Sequence, residues 1–306
     1  MKPHQPREDR PMFGLGLMCI AMALFTSIDT SAKWLILSGL PIMQVVFVRY
    51  AGHFIASLVM FLPREGLSAF RAVHPGLQFL RALFLLASTA FNFAALKYLP
   101  ITITTAIYFA SPIVITILSV AFLGEKIRLK RALAILVGFV GVLIVVAPWG
   151  ADFHPAMLLS LSALICASSY FVLTRRLAGV EANSTSQLWA SGIATLALIP
   201  FGLPGWVWPA TVTDWLVMLF IGIFAAVGHG LAVTAHRYAP ASTLAPVTYV
   251  QAIYATASGL LVFGNLPGWG TALGTAIIIA SGIYIWHRER ALMLERRRVE
   301  TAALTR

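Results

Sequence analysis

The chain has 306 residues, 59% of them hydrophobic and only 11% charged, whereas soluble domains are roughly 45–50% apolar and about 25% charged. A mean hydropathy of +0.85 leaves too little polar surface to wet a compact body of this size, so lipid is the solvent for most of the chain. This argues against a soluble enzyme and excludes disorder and collagen-like repeats. The two cysteines, Cys19 and Cys166, both lie inside apolar runs, which excludes a disulfide framework, a CxxC motif and a thiolate metal cluster.

A helix needs about 20 mostly apolar residues to cross the roughly 30 Å hydrocarbon layer, and ten runs in this chain qualify. The first, 13–36, follows Lys2, Arg7 and Arg10, yet it carries Asp29 and Lys33 and lacks a small-residue cleavage site, so it reads as a retained span and not a signal peptide. The second, 42–62, contains Arg49 and His53. The third and fourth, 78–97 and 101–123, are separated by a short Tyr98-Leu-Pro100 turn, and the fifth is 131–148. The second half continues with 155–174, 185–204, 214–235, 241–263 and 268–286, where Pro200, Pro204, Pro209 and the Trp206/Trp208 pair mark an interfacial loop between spans seven and eight.

An even number of spans puts both termini on one side. With that side taken as cytoplasmic, it collects 19 of the 22 Lys and Arg residues; Lys97 alone falls in an outer loop, while Lys33 and Arg49 fall within spans. Positive charge concentrates in cytoplasmic loops, so the spacing predicts cytoplasmic N- and C-termini. The same distribution accounts for the net charge of +11 without a nucleic-acid partner.

A shift of 140 residues aligns two halves of five spans. Ala23-Leu24 falls on Ala163-Leu164, Ala95 on Ala235, Tyr98 on Tyr238, Pro100 on Pro240 and Gly124 on Gly264, the last four pairs without a gap. Five is odd, so the halves are expected to lie in the membrane with opposite orientation. The expected organisation is an N-terminal segment 1–12, repeats at 13–148 and 155–286, and a basic cytoplasmic tail at 287–306 touching anionic lipid. Inverted repeats give secondary carriers two related conformations, with the substrate held near the midplane.

Ionisable groups inside spans mark pathways or paired structural sites. Asp29 and Lys33 are four residues apart on one helical face and can pair directly. At about 1.5 Å per residue, Asp29 and Arg49 each lie roughly 12 Å below the outer end of their spans. A triad of Asp29, Lys33 and Arg49 could alternate between mutual pairing and substrate contact, or serve as a static lock between spans one and two. His53, one turn from Arg49, and His229 in span eight are candidates for proton coupling or for hydrogen-bonding a polar heterocycle. Pro112 and Pro246 interrupt spans four and nine, and around these breaks lie Tyr108, Ser111, Tyr249, Gln251 and Tyr254. Such breaks point to a carrier's binding site; the plainer reading is that Tyr and Ser tie helices together. Gly270-x-x-x-Gly274 permits close helix contact, within the monomer or across a homodimer.

In Asp29-Thr-Ser-Ala-Lys33-Trp34, Arg49, Ala95-Leu-Lys-Tyr98-Leu-Pro100, Ser111-Pro112, Leu123-Gly124-Glu125-Lys126 and Gly138-Phe-Val-Gly141, the first half resembles the drug/metabolite transporter superfamily in its ten-helix EamA branch. Gly228-His229-Gly230, Arg237-Tyr238-Ala239-Pro240-Ala241-Ser242 and Ala245-Pro246-Val-Thr-Tyr249 extend the resemblance through the second half, which departs at Asn265, where such proteins often carry Glu. The resemblance implies an all-α membrane carrier of the bacterial inner membrane. It is nearest to riboflavin and S-adenosylmethionine uptake carriers, with a metabolite exporter as the alternative. It implies a small-molecule substrate, with aromatic and hydrogen-bonding residues suited to a flat polar ring such as a flavin. A membrane-embedded enzyme would need HExxH, clustered His boxes, a Ser/His pair in a Gly-rich setting or a P-loop, and none is present. No cofactor or metal is expected.

Overall fold

A computed structural model describes residues 10–111, 113–115, 117–118, 129–146, 153–177, 180–238 and 244–304. Pro112 and the charged segment 124–128 lie outside the described residues. The described chain is all helical: α1 (Pro11–Leu37), α2 (Ile42–Glu65), α3 (Pro75–Leu96), α4 (Ile101–Tyr108), α5 (Leu129–Val146), α6 (Ala156–Leu177), α7 (Asn183–Gly202), α8 (Val212–Tyr238), α9 (Gln251–Phe263) and α10 (Trp269–Leu304), with 3₁₀ turns at Gly66–Phe70 and Ala245–Val250.

Prolines start several of these helices. Pro11 and Pro75 occupy the first turn of α1 and α3, where a missing N–H costs nothing, while Pro41 and Pro100 stand at the N-caps of α2 and α4. Gly264, in the left-handed region at φ 67°, ends α9, and Asn265 N–H closes the turn on the Gly259 carbonyl at 2.8 Å. Asn265 thus joins a helix-ending turn, which asks nothing of its side-chain charge.

Five helical stretches are long and apolar enough to cross a membrane: Met12–Leu37, Ile42–Phe70, Pro75–Leu96, Ala156–Thr174 and Val212–Ala235. Shorter apolar helices, among them Leu136–Val145, Val247–Phe263 and Trp269–Tyr284, lie within the expected spans five, nine and ten, while α7, at the expected seventh, is helical but in neither group. Two of the expected spans are interrupted: α4 gives way to a turn at 109–110, and span nine begins as the 3₁₀ turn that carries Pro246. α10 runs unbroken from the last expected span into the tail, Trp269 to Leu304, because 288–304 contains good helix formers and neither Gly nor Pro.

The helices pair across the two halves in a pattern with two-fold symmetry. When α1–α5 are matched in order with α6–α10, the contacts α1/α8 and α6/α3 exchange, as do α2/α8 and α7/α3, while α2/α7, α4/α9 and α5/α10 map onto themselves. The α5/α10 crossing repeats this at residue level. A Cβ on Gly274 would come within 2.6 Å of the Gly141 carbonyl oxygen, and the positions related by the 140-residue shift, Ala134 and Ser281, are joined by a Ser281 hydroxyl donating to the Ala134 carbonyl at 2.5 Å. Gly274 is therefore used for packing within this chain. At the α2/α8 crossing, Gly52 and Gly222 bring two backbones together, since a Cβ on Gly222 would lie 2.5 Å from the Gly52 Cα.

Polar ties join the halves at both ends of the bundle. At one end the Trp34 indole and the Ser38 hydroxyl donate to Asp214 Oδ1 at 2.9 and 3.1 Å, and the Gln44 amide brackets Val207, donating to its carbonyl and accepting from its N–H. At the other end Glu181 accepts from His74 N–H at 2.7 Å and Glu65 accepts from the Ser184 hydroxyl at 2.5 Å. Each tie links the first half to the second.

Candidate functional site

The face of α1 that carries Asp29 and Lys33 meets α3. Asn92 Nδ2 donates to Asp29 Oδ1 at 2.9 Å, while Lys33 Nζ donates to the carbonyls of Leu96 and Leu99 at 3.2 and 2.5 Å. The direct Asp29–Lys33 pair anticipated from the spacing gives way to these contacts. The reason lies at the end of α3, where the carbonyl of its last residue, Leu96, has no helical partner and that of Leu99 stands in the turn that follows; an ammonium with three donors satisfies both. Lys33, 5% exposed, is a buried brace of α1 against α3.

Arg49 on α2 is 5% exposed. Its guanidinium lies over the Tyr50 ring, 4.4 Å from the centroid, and Nη2 stands 3.5 Å from His229 Nε2 on α8, while Nε and Nη1 have no hydrogen-bond partner. One turn along α2, His53 is 1% exposed; its Nε2 meets Gln187 Oε1 of α7 at 2.8 Å and its ring stacks on His229. Tyr50 and Thr89 share a 2.9 Å hydroxyl bond. The buried Arg49 and His53 and the half-buried Asp29 and His229 thus belong to one polar layer where α1, α2 and α3 meet α7 and α8. In the interior of a membrane protein such groups are costly and must be paired or put to use.

Tyr108 closes the edge of this layer. Ser88 Oγ donates to the Ala163 carbonyl at 3.0 Å, so the Tyr108 hydroxyl donates to Ser88 at 2.9 Å. The other anticipated residues lie elsewhere. Ser111 bonds back to the Tyr108 carbonyl. Tyr249 packs edge-on against Phe109, centroids 5.4 Å apart, with its hydroxyl against Gly282, and Gln251 is half-buried at the start of α9. Tyr254 lines a cleft of about 350 Å³ between α1 and α9, together with Thr26, Ser27, Thr30, Ser31 and Ser258. Thr30 and Ser258 bridge that cleft through a 2.5 Å hydroxyl bond.

Sequence reasoning missed Arg81. Counted there with the cytoplasmic loop charges, it is 4% exposed, because α3 begins at Pro75 and carries it inward by about 9 Å. Its Nε donates to Thr174 Oγ1 at 2.7 Å, Nη1 to Gln78 Oε1 and the Ser186 carbonyl at 3.0 and 3.2 Å, and Nη2 to the Tyr170 hydroxyl at 3.0 Å. The pairing of α3 with α6 and α7 is what turns these neutral oxygens toward it. The legible signal was Gln78 three residues before Arg81, two polar residues on one face of an apolar helix.

A multi-pass membrane protein with two halves paired in this way, and a charged layer between them, has the build of a small-solute carrier. Residues 12–147 and 154–286 each match the EamA-like transporter family, and the chain belongs to that family. It is 29% identical over 289 residues to a riboflavin transporter of Vibrio cholerae, covering 93% of this chain and 97% of the relative. It is 27% identical over 283 residues to an S-adenosylmethionine uptake transporter of Rickettsia bellii, covering 92% and 95%. A solved crystal structure superposes with a TM-score of 0.62 at 20% identity, covering 93% of this chain and 99% of that one, a likeness of fold.

Proposed function

We propose that this chain is a secondary carrier of the bacterial inner membrane that takes up riboflavin by alternating access. In this reading it crosses the membrane ten times with both termini cytoplasmic, and repeats 13–148 and 155–286 are inserted with opposite orientation. The basic tail 287–306 lies at the cytoplasmic surface, where Arg296-Arg297-Arg298 meet anionic lipid. The polar ties at the two ends of the bundle serve as alternating closures.

The observation that carries the reading is the polar layer itself. Arg49, His53 and His229, with Asp29 across from them, offer donors and acceptors between the two halves, the place where a carrier holds its cargo. Tyr50, its ring beneath the Arg49 guanidinium, and Tyr108, through its hydroxyl, border the layer. This mixture suits a flat, polar ring. The names of the two relatives, a riboflavin transporter and an S-adenosylmethionine uptake transporter, support uptake of a heterocyclic metabolite. Tyr254 and the hydroxyl-lined cleft beside it widen the candidate site, with Lys33, Ser111, Tyr249 and Gln251 acting through helix position.

The test is growth of a riboflavin-auxotrophic bacterium on limiting riboflavin. Rescue by the wild-type chain, lost with Arg49→Ala at equal membrane level, is the expected result. No rescue from correctly inserted protein would remove the flavin and leave S-adenosylmethionine-like or amino-acid-like cargo, or export, to be tested.

A further inference from the structure

Asp29 and Arg49 belong to the same polar layer without closing on each other. Asp29 gives Oδ1 to Asn92 of α3, and one turn back on that helix Thr89 bonds the hydroxyl of Tyr50, the neighbour of Arg49 on α2. Arg49 nevertheless spends Nη2 at 3.5 Å from His229 and leaves Nε and Nη1 unpartnered at 5% exposure. Opposite charges in a low-dielectric interior attract strongly, and incompletely paired ions are expensive there. A site that keeps donors bare when empty discriminates sharply for a ligand that fills them.

We propose that Asp29 and Arg49 form a donor–acceptor clamp on the transported molecule, Arg49 donating to an oxygen and Asp29 accepting from an adjacent N–H. The clamp rests on the carrier reading above and refines it to a chemical edge. Among the cargo classes considered above, two present an N–H beside a C–O. One is a ring imide, such as the pyrimidinedione edge of a flavin; the other is an α-amino acid head group, with ammonium beside carboxylate. Both are neutral overall, as is one Asp facing one Arg.

Uptake into right-side-out membrane vesicles tests the clamp. In one arm labelled riboflavin is competed by N3-methylriboflavin, which lacks the imide N–H; in the other, labelled S-adenosylmethionine is competed by its decarboxylated analogue. For an imide cargo, N-methylation should weaken competition about tenfold or more, and Asp29→Asn should shrink that discrimination to a few-fold. Arg49→Gln should raise KM at equal membrane level, with partial recovery in Arg49→Lys. For an amino acid cargo, riboflavin is not taken up, the decarboxylated analogue competes about tenfold less well, and Arg49→Gln erases the difference; the clamp then stands and the riboflavin reading falls. Equal competition by the blocked analogue of whichever compound is transported overturns the clamp alone. Uptake of neither compound overturns both the clamp and the riboflavin reading.

Discussion

His53 and His229 stack with ring centroids 5.6 Å apart and planes 10° from parallel, one ring from each half of the protein. The Gln187 carbonyl accepts from His53 Nε2–H at 2.8 Å, which leaves His53 Nδ1 as a buried acceptor without a partner. Any rocking of one half against the other must shear this stack or carry α2, α7 and α8 together. The pair therefore couples the polar layer to the relative position of the halves.

Replacing Gln187 with Leu removes the acceptor and leaves a buried imidazole N–H unmatched, at a cost of about 1–3 kcal/mol. Transport by Gln187→Leu is expected to fall roughly tenfold at unchanged membrane level, with Gln187→Glu retaining more. Wild-type rates in Gln187→Leu would mean that the histidine pair is static packing.

Gly52→Ala and Gly222→Ala each push a methyl group into the opposing backbone. Backbone cannot swing aside as a side chain can, so each substitution should cost about 1–3 kcal/mol. Melting of the purified protein in detergent should show both variants several degrees below wild type, while Gly16→Ala, whose added Cβ meets nothing within 4 Å, stays level.

Asp214 is 3% exposed and receives Trp34, Ser38 and Thr211. Asp214→Ala strands the Trp34 indole N–H and should lower stability by about 1–3 kcal/mol. The Trp34 contribution to fluorescence, isolated by comparison with Trp34→Phe, should change with it. A melt and spectrum identical to wild type would remove the tie from the list of closures.

The proposed orientation predicts opposite labelling of two exposed positions, Ala210 in the loop before α8 and Ser68 in the turn after α2. In a background without Cys19 and Cys166, Ala210→Cys should react with a membrane-impermeant maleimide in intact cells, and Ser68→Cys only after permeabilisation. The reverse pattern would invert the topology.

Much of the candidate layer was legible in the chain, because Asp29, Arg49, His53 and His229 are ionisable residues in stretches that lipid would otherwise solvate. Gln187 was harder to find: an uncharged amide in an apolar helix does not show which helix it faces. Lys33 was visible but its partner was not. The i, i+4 spacing places Asp29 and Lys33 on one face, yet the open carbonyls at the end of α3 and in the turn after it belong to a different part of the chain and compete successfully for the ammonium.

Composition, span length and the 140-residue periodicity by themselves determined a membrane protein of two related halves, since the distribution of apolar residues along the chain states which solvent each segment must meet. Pairing was decided only by the tertiary structure. Arg81 passes from loop charge to buried helix brace, and Gly274 closes on Gly141 within one chain. Asp29 and Arg49 come to share a layer while each takes another partner, Asn92 and His229. Those outcomes depend on which helical faces meet across the repeat boundary, and that follows from the packing of all the helices at once.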